Sequence, residues 1–145
     1  MRKIKRPGAT LMALALAAVV TPVASVALAT PAAAAASCTG NSTKVKGSLI
    51  FTLPSVGNGS GNLECVMGIG NQGAAVRNLQ ATLNVCYGAG LAVDGEYGRL
   101  TAAAVRSAQQ AHGIADDGVY GPQTRRTIRW VADNGGAGVC RVYGA

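Results

Sequence analysis

The stretch VDGEYGRLTAAAV (residues 93–105) is nearly repeated 23 positions later, where residues 116–128 read DDGVYGPQTRRTI. In each copy an Asp-Gly pair predicts a tight turn, with the aspartate (Asp94, Asp117) bonding nearby backbone N–H groups and the glycine accepting positive φ. A tyrosine two residues past that glycine (Tyr97, Tyr120) is an aromatic plug for a small core. Gly98 or Gly121 then turns the chain into a helix, and a threonine at its third position (Thr101, Thr124) can bond free backbone N–H groups. Each unit is a self-contained helix starter, and two copies set two helices side by side.

Working outward, Val76, Leu79 and Leu83 recur at helical spacing, so Gly73 to Asn84 reads as an amphipathic helix. The run from Cys86 to Gly90 stops it. A second helix is expected from about Arg99 to Ala111, with Leu100, Ala104, Ala108 and Ala111 on one face and His112-Gly113 at its end. A third opens at Gly121-Pro122, where proline costs no hydrogen bond, and continues through Thr124, Ile128 and Val131 to Asn134-Gly135-Gly136. The predicted fold is all-α, a compact three-helix bundle over residues 65–133. An extended arm and a Gly/Ser/Asn linker (37–64) precede it, and a short tail (134–145) follows. In the arm, Leu49 to Leu53 is one apolar run ended by Pro54, read as a strand or extended segment. The stretch SVGNGSGN (55–62) has the composition of a flexible linker.

The first 36 residues have a basic head, an apolar run and an alanine-rich exit, the pattern of a secretory signal peptide. The preferred mature start is near Ser37. Of the 13 basic residues, Arg2, Lys3, Lys5 and Arg6 leave with the leader, so 9 basic face 6 acidic residues and the net charge falls from +7 to +3. Mild positive charge suits an exported protein near an anionic wall or membrane; nucleic acid is not indicated, and membrane attachment is not expected once the leader is cleaved.

All four cysteines (Cys38, Cys65, Cys86, Cys140) follow the leader. An even count in a short exported chain predicts two disulfides. Zinc is not indicated, because the sole histidine, His112, is far from any C-x-x-C pair and no such pair exists. Four cysteines allow three connectivities, of which two are weighed. Residues 66–72, extended, reach about 23 Å, more than the roughly 18 Å of a twelve-residue helix, so Cys65–Cys86 with Cys38–Cys140 is sterically allowed and preferred. Cys38–Cys86 with Cys65–Cys140 would close the bundle from both ends.

The segments NQGAAVRNLQATLN, VDGEYGRLTAAAVRSAQQAHGI and DDGVYGPQT, in that order, resemble the type 1 peptidoglycan-binding domain, a three-helix module common in bacterial cell-wall hydrolases. The resemblance implies a secreted, non-catalytic binder of wall peptidoglycan, through its stem peptide or its glycan strand, without cofactor. Two positions depart from the family pattern. Ala108 stands where an aromatic precedes the second-helix glutamine, and Arg125 stands where tryptophan follows the G-P-x-T threonine, with Trp130 five residues on. The core is then expected to be filled by Phe51 or Trp130.

The candidate residues for wall contact are Gln80 and Gln109, which match the family's glutamines, Asp94, Tyr97 and Tyr120 of the repeated turn, and Arg77, Arg99 and Arg106, whose guanidinium groups suit the carboxylates of wall stem peptides. Asp94 is also a turn former, the tyrosines also core, the glutamines also solvated mid-helix side chains and the arginines also a solvated face. No active site stands out: Cys86 with His112 mimics a cysteine-hydrolase pair, but disulfide bonding is the more economical use of Cys86. The carboxylates Asp94, Glu96, Asp116 and Asp117 sit at glycine turns that already explain them, and the D-x-D-x-D-G pattern of a calcium loop is absent. Other functions open to such a chain are a small secreted inhibitor or antimicrobial protein, and a helper acting with a separate cell-wall hydrolase.

Overall fold

The structure, a computed structural model, describes residues 34–144, so the leader expected over 1–36 lies almost wholly outside the described residues. Two strands come first, β1 (Gly40–Lys46) and β2 (Leu49–Ser55). Three helices follow, α1 (Ala74–Tyr87), α2 (Arg99–Ala111) and α3 (Pro122–Thr127), and the chain ends in β3 (Arg129–Asp133) and β4 (Val139–Val142). The strands form one antiparallel sheet in the order β1-β2-β3-β4. An all-α bundle with an extended arm is therefore not the architecture: the arm and the tail build a four-stranded sheet against which α1 packs, and the fold is α plus β.

The reasons are local. The β1–β2 hairpin pairs Lys46 with Leu49 across a two-residue turn, with Gly47 at φ 61°, the left-handed backbone such a turn requires. Beyond Phe51, β2 has β1 on one side only, so Pro54 interrupts no ladder on the other. The third helix ends at Thr127 because Ile128 turns extended (ψ 161°). From there Ile128, Trp130 and Ala132 are buried while Arg129 and Asp133 are exposed, the two-residue period of a strand. Thr127, Ile128, Trp130 and Val131 are β-branched or aromatic and favour that state.

The stretch 55–62 is folded back rather than free. Val56 N–H donates to Asn62 O (3.0 Å) and Gly59 N–H to Asn41 O (2.9 Å). Asn41 N–H donates to Asn58 Oδ1 (3.1 Å) and Gly61 N–H to Ser42 Oγ (3.0 Å), which ties the loop to β1.

Helix α2 has the expected limits, but its buried face is Thr101, Ala102, Val105, Ala108 and Gln109. Leu100, assigned to the core face from its spacing, is 77% exposed. Phe51 and Trp130 both fill the core, Trp130 meeting Tyr120 edge to face at 5.9 Å. Arg125 is buried too. Its guanidinium donates to Leu63 O and, at 2.7 Å, to Glu64, which also accepts from Arg126 (2.9 Å). The Trp130 indole N–H donates back to Arg125 O (2.9 Å). Arginine at 125 thus clamps the 63–64 loop, and the tryptophan sits beside it.

The disulfides are Cys38–Cys65 and Cys86–Cys140, neither of the pairings weighed from the sequence. Both assumed that arm and tail lie outside the helical unit. Instead Ser37 bridges in parallel to Val66 and Cys38 N–H donates to Val66 O (3.0 Å), which brings Cys38 against Cys65. Cys140, opposite Val131 in the β3–β4 ladder, is held by the sheet against the last turn of α1, where Cys86 stands.

Replacing Cys86 and Cys140 together by alanine is expected to cost about 2–5 kcal/mol. That loss should exceed the one from replacing Cys38 and Cys65, since the closed segment spans 54 rather than 27 residues and each doubling adds about 0.6 kcal/mol of chain entropy. Urea unfolding of the two double variants measures the difference; the reverse order would contradict it.

Candidate functional site

The two repeats share one internal frame. Asp94 Oδ1 accepts the N–H of Glu96 (2.8 Å), and Asp117 Oδ1 that of Val119 (2.8 Å), closing each turn. Into each turn a glutamine from the preceding helix is inserted. From α1, Gln80 Nε2 donates to Asp94 Oδ1 (2.8 Å), Glu96 O (3.0 Å) and Thr101 Oγ1 (3.2 Å), while its Oε1 accepts Gly95 N–H (2.9 Å). From α2, Gln109 Nε2 donates to Asp117 Oδ1, Val119 O and Thr124 Oγ1, each at 3.0 Å, and its Oε1 accepts Gly118 N–H (2.9 Å). Each helix therefore grips the turn that starts the next. Both glutamines are buried rather than solvated.

Gly95 (φ +81°) and Gly118 (φ +71°) hold left-handed backbone, and a Cβ on Gly118 would stand 2.8 Å from Ala102 O. The segment before α1 ties both turns together. Met67 exchanges backbone bonds with Tyr120 (2.9 and 2.8 Å), Gly70 N–H donates to Tyr97 O (3.0 Å), and Tyr97 N–H donates to Asn71 O (2.9 Å). Tyr97 and Tyr120 are buried; the Tyr97 hydroxyl donates to Gly118 O (2.9 Å), joining the first turn to the second. Burial pushes both phenols above their usual range.

Beside each turn lies a cleft. The first, about 370 Å³, is lined by Gln80, Leu91, Asp94, Glu96, Arg99 and Leu100 among others. It adjoins a groove of about 410 Å³ that shares Leu91 and Leu100 and extends to Tyr87, Ala89, Ala104 and Ser107. The second cleft, about 200 Å³, is lined by the positions 23 residues on, with Asp117, Val119, Pro122, Gln123 and Thr124, and by Gln109. The Glu96 N–H, and then the Gln80 amide, hold the Asp94 carboxyl below its usual range.

The candidate residues thus divide. Gln80, Asp94, Gln109, Tyr97 and Tyr120 belong to the frame, although Gln80 and Asp94 also line the first cleft. Arg99 is exposed at that cleft, and Arg77 is exposed beside the Gly95 turn. Arg106 is exposed but engaged, donating to Asp116 O (3.0 Å) and Asp117 O (3.4 Å) across the second turn. Leu91, Glu96, Leu100 and Tyr87 were not singled out as ligand contacts. For Leu100 a signal existed: a leucine one position away from the Thr101/Val105/Ala108 stripe faces outward. Cys86 is bonded to Cys140 and offers no thiol, and His112 Nε2 shares a hydrogen bond with the Tyr87 hydroxyl (2.8 Å). Among the described residues no cluster of His, Cys, Asp and Glu is arranged to hold a metal. No helix among them is long and apolar enough to cross a membrane.

Helices that each clamp the next helix's first turn, with a cleft beside each clamp, define a small binding module. Residues 72–128 match the family described as "Putative peptidoglycan binding domain": this segment of the chain is a peptidoglycan-binding domain. The match spans both turns, both clamping glutamines, the whole first cleft and the second cleft but for Val66, and it stops at Ile128, where helix gives way to strand; the four-stranded sheet lies outside it. A crystal structure of a peptidoglycan-binding protein from Clostridioides difficile, in complex with glutamine hydroxamate, is similar at 25% identity over 58% of this chain and 53% of that one, with a TM-score of 0.44. The chain spans about half the length of that structure. No curated protein matches.

Gln80→Ala and Gln109→Ala should each lower stability by about 1–3 kcal/mol, because each leaves a buried glycine N–H without an acceptor. Chemical denaturation measures this; losses below about 0.5 kcal/mol would show that the clamps carry little of the fold. The depressed carboxyls set a pH dependence of definite sign. Asp94, Asp116 and Glu64 all have folded pKa values lowered from 3.8 or 4.5, Asp116 by the Gln110 amide and Glu64 by the Arg125 guanidinium. Their stabilisation is full above those ordinary values and is lost as pH falls through the folded ones. Melting temperature should hold from neutral pH to about 5 and decline below about 4, with a shallower decline in Asp94→Asn.

Proposed function

We propose that this chain is an exported, non-catalytic module that holds peptidoglycan in the groove between the Ala89–Asp94 loop and the start of α2, taking a stem peptide rather than a glycan strand. What carries the reading is that the span matching the wall-binding family contains this whole groove. The lining also suits a short peptide. A polar end (Gln80, Asp94, Glu96, Arg99) adjoins an apolar one (Leu91, Leu100, Ala104), the mix of a few placed polar groups on an apolar wall that small-ligand sites use. Two disulfides fit an oxidising compartment outside the cytoplasm. In this reading residues 1–36 are the export signal and residues 65–133 hold the binding domain. The carboxylates serve as turn formers, and a separate hydrolase can share the same wall without being needed for binding.

Purified exported protein should pellet with insoluble peptidoglycan and release no soluble muropeptides; protein left in the supernatant at low salt, or released fragments, would refute the proposal. Leu100→Asp is the sharper arm. Leu100 is 77% exposed, so the change should alter stability by no more than about 0.5 kcal/mol while weakening pelleting about tenfold or more.

A further inference from the structure

The internal repeat supplies a control within one molecule. The two clefts have the same frame, and they differ where the frame leaves off. Glu96 stands opposite Val119 in the repeat, Arg99 opposite Pro122 and Leu100 opposite Gln123. The first cleft therefore carries a carboxylate, a guanidinium and an exposed leucine, and its twin carries none of these at the matching positions. The frame needs neither charge, because the second turn closes without them. Among the described residues neither Glu96 nor Arg99 forms an ion pair, and the ion pairs there are those of Glu64 with Arg125 and Arg126. No side-chain hydrogen bond within the described residues occupies either charged head. Asp94, on the same cleft, has Oδ1 engaged by Glu96 N–H and Gln80.

Glu96 and Arg99, opposite charges on one cleft that no bond of the frame uses, flanked by Leu91 and Leu100, are complementary to a ligand with both charges on a short apolar stem. Charge-assisted hydrogen bonds are the stronger kind, and opposite charges placed together select against ligands carrying only one. We propose that the first cleft recognises the free α-amino-acid zwitterion at the end of a diamino acid side chain in a wall stem peptide, Arg99 meeting its carboxylate, Glu96 its ammonium, and Leu91 and Leu100 its methylenes. The proposal rests on the wall-binding reading above and adds the chemical group recognised.

The test uses a soluble muropeptide containing meso-diaminopimelate and two capped forms of it, one acetylated on the distal amine and one amidated on the distal carboxyl. Binding to the exported protein is followed by calorimetry, beside pelleting on insoluble peptidoglycan. Each cap is expected to weaken wild-type binding about tenfold, the loss of one charged hydrogen bond. Glu96→Gln should bind the free and acetylated forms equally while still discriminating against the amidated one, and Arg99→Gln should do the reverse. Gln123→Ala, in the twin cleft, should bind as wild type. Thermal melts of each variant confirm that the fold is intact. If both capped forms bind wild type as tightly as the free form, or if the muropeptide fails to bind while the insoluble wall still pellets the protein, the zwitterion assignment is wrong and wall binding stands. If wild type does not pellet either, the wall-binding reading fails and takes the assignment with it.

Discussion

The molecule turns on one buried amide used twice. A glycine N–H at positive φ in a tight turn points inward and needs an acceptor; a turn carbonyl and an aspartate beside it need donors. One glutamine side chain meets all of these, since its oxygen has free lone pairs and its nitrogen carries two hydrogens. Three acceptors lie within 3.2 Å of Gln80 Nε2, so one of its hydrogens is shared, and the same holds for Gln109. The amide's orientation follows from the network, because turning it over would set donor against donor at Gly95 and at Gly118. A satisfied network in a low-dielectric interior holds a unique geometry, whereas a half-satisfied one is costly. This explains how a module with helices as alanine-rich as α2 keeps sharp turns with few large side chains.

The sheet answers a second demand. The helices of the matched span are short, and α3, at six residues, has too few turns to be stable by itself. What buries its end is the strand that follows, with Ile128, Trp130 and Ala132 turned into the core beside Phe51 and Leu53. The first and last segments of the described chain thus meet in one sheet, each also held by a disulfide. Arg125 makes the join on the other side, its buried charge answered by the Glu64 carboxylate and the Leu63 carbonyl.

How much of this is legible in the sequence depends on the range of the interaction. The limits of α2 follow from a glycine before it and His-Gly after it, all local, and α1 begins at the expected place but runs a turn further, to its Gly88 cap. The strands are less legible because their pairing is remote: Ile50 finds Asp133, and Phe51 finds Ala132, across the whole helical segment. Strand β1, GNSTKVK, is a polar edge whose one large apolar residue, Val45, is 71% exposed, so no pattern announces it. In β3 the period of two was present, but Thr124, Ile128 and Val131 also fit a helical spacing, and a Gly-Pro start favoured the longer helix. The disulfide pairing followed the same error, since it depended on where the unseen strands run.

Within the site, repetition itself separates two kinds of residue that resemblance to a family merges. Gln80 and Gln109, Asp94 and Asp117, and Thr101 and Thr124 occur in both units and make the same bonds in each, and Tyr97 and Tyr120 are buried in both although only the Tyr97 hydroxyl finds an acceptor, so these residues are required by the turn, whatever it binds. Arg99, Glu96 and Leu100 occur in one unit only, and no bond of the frame uses their side chains. A residue kept through both copies is explained by the fold; one that differs between copies is free of that constraint and can answer to a ligand. By that criterion most of the residues the family pattern brings forward are scaffold, and the part of the cleft that gives it chemical character lies in the positions between them.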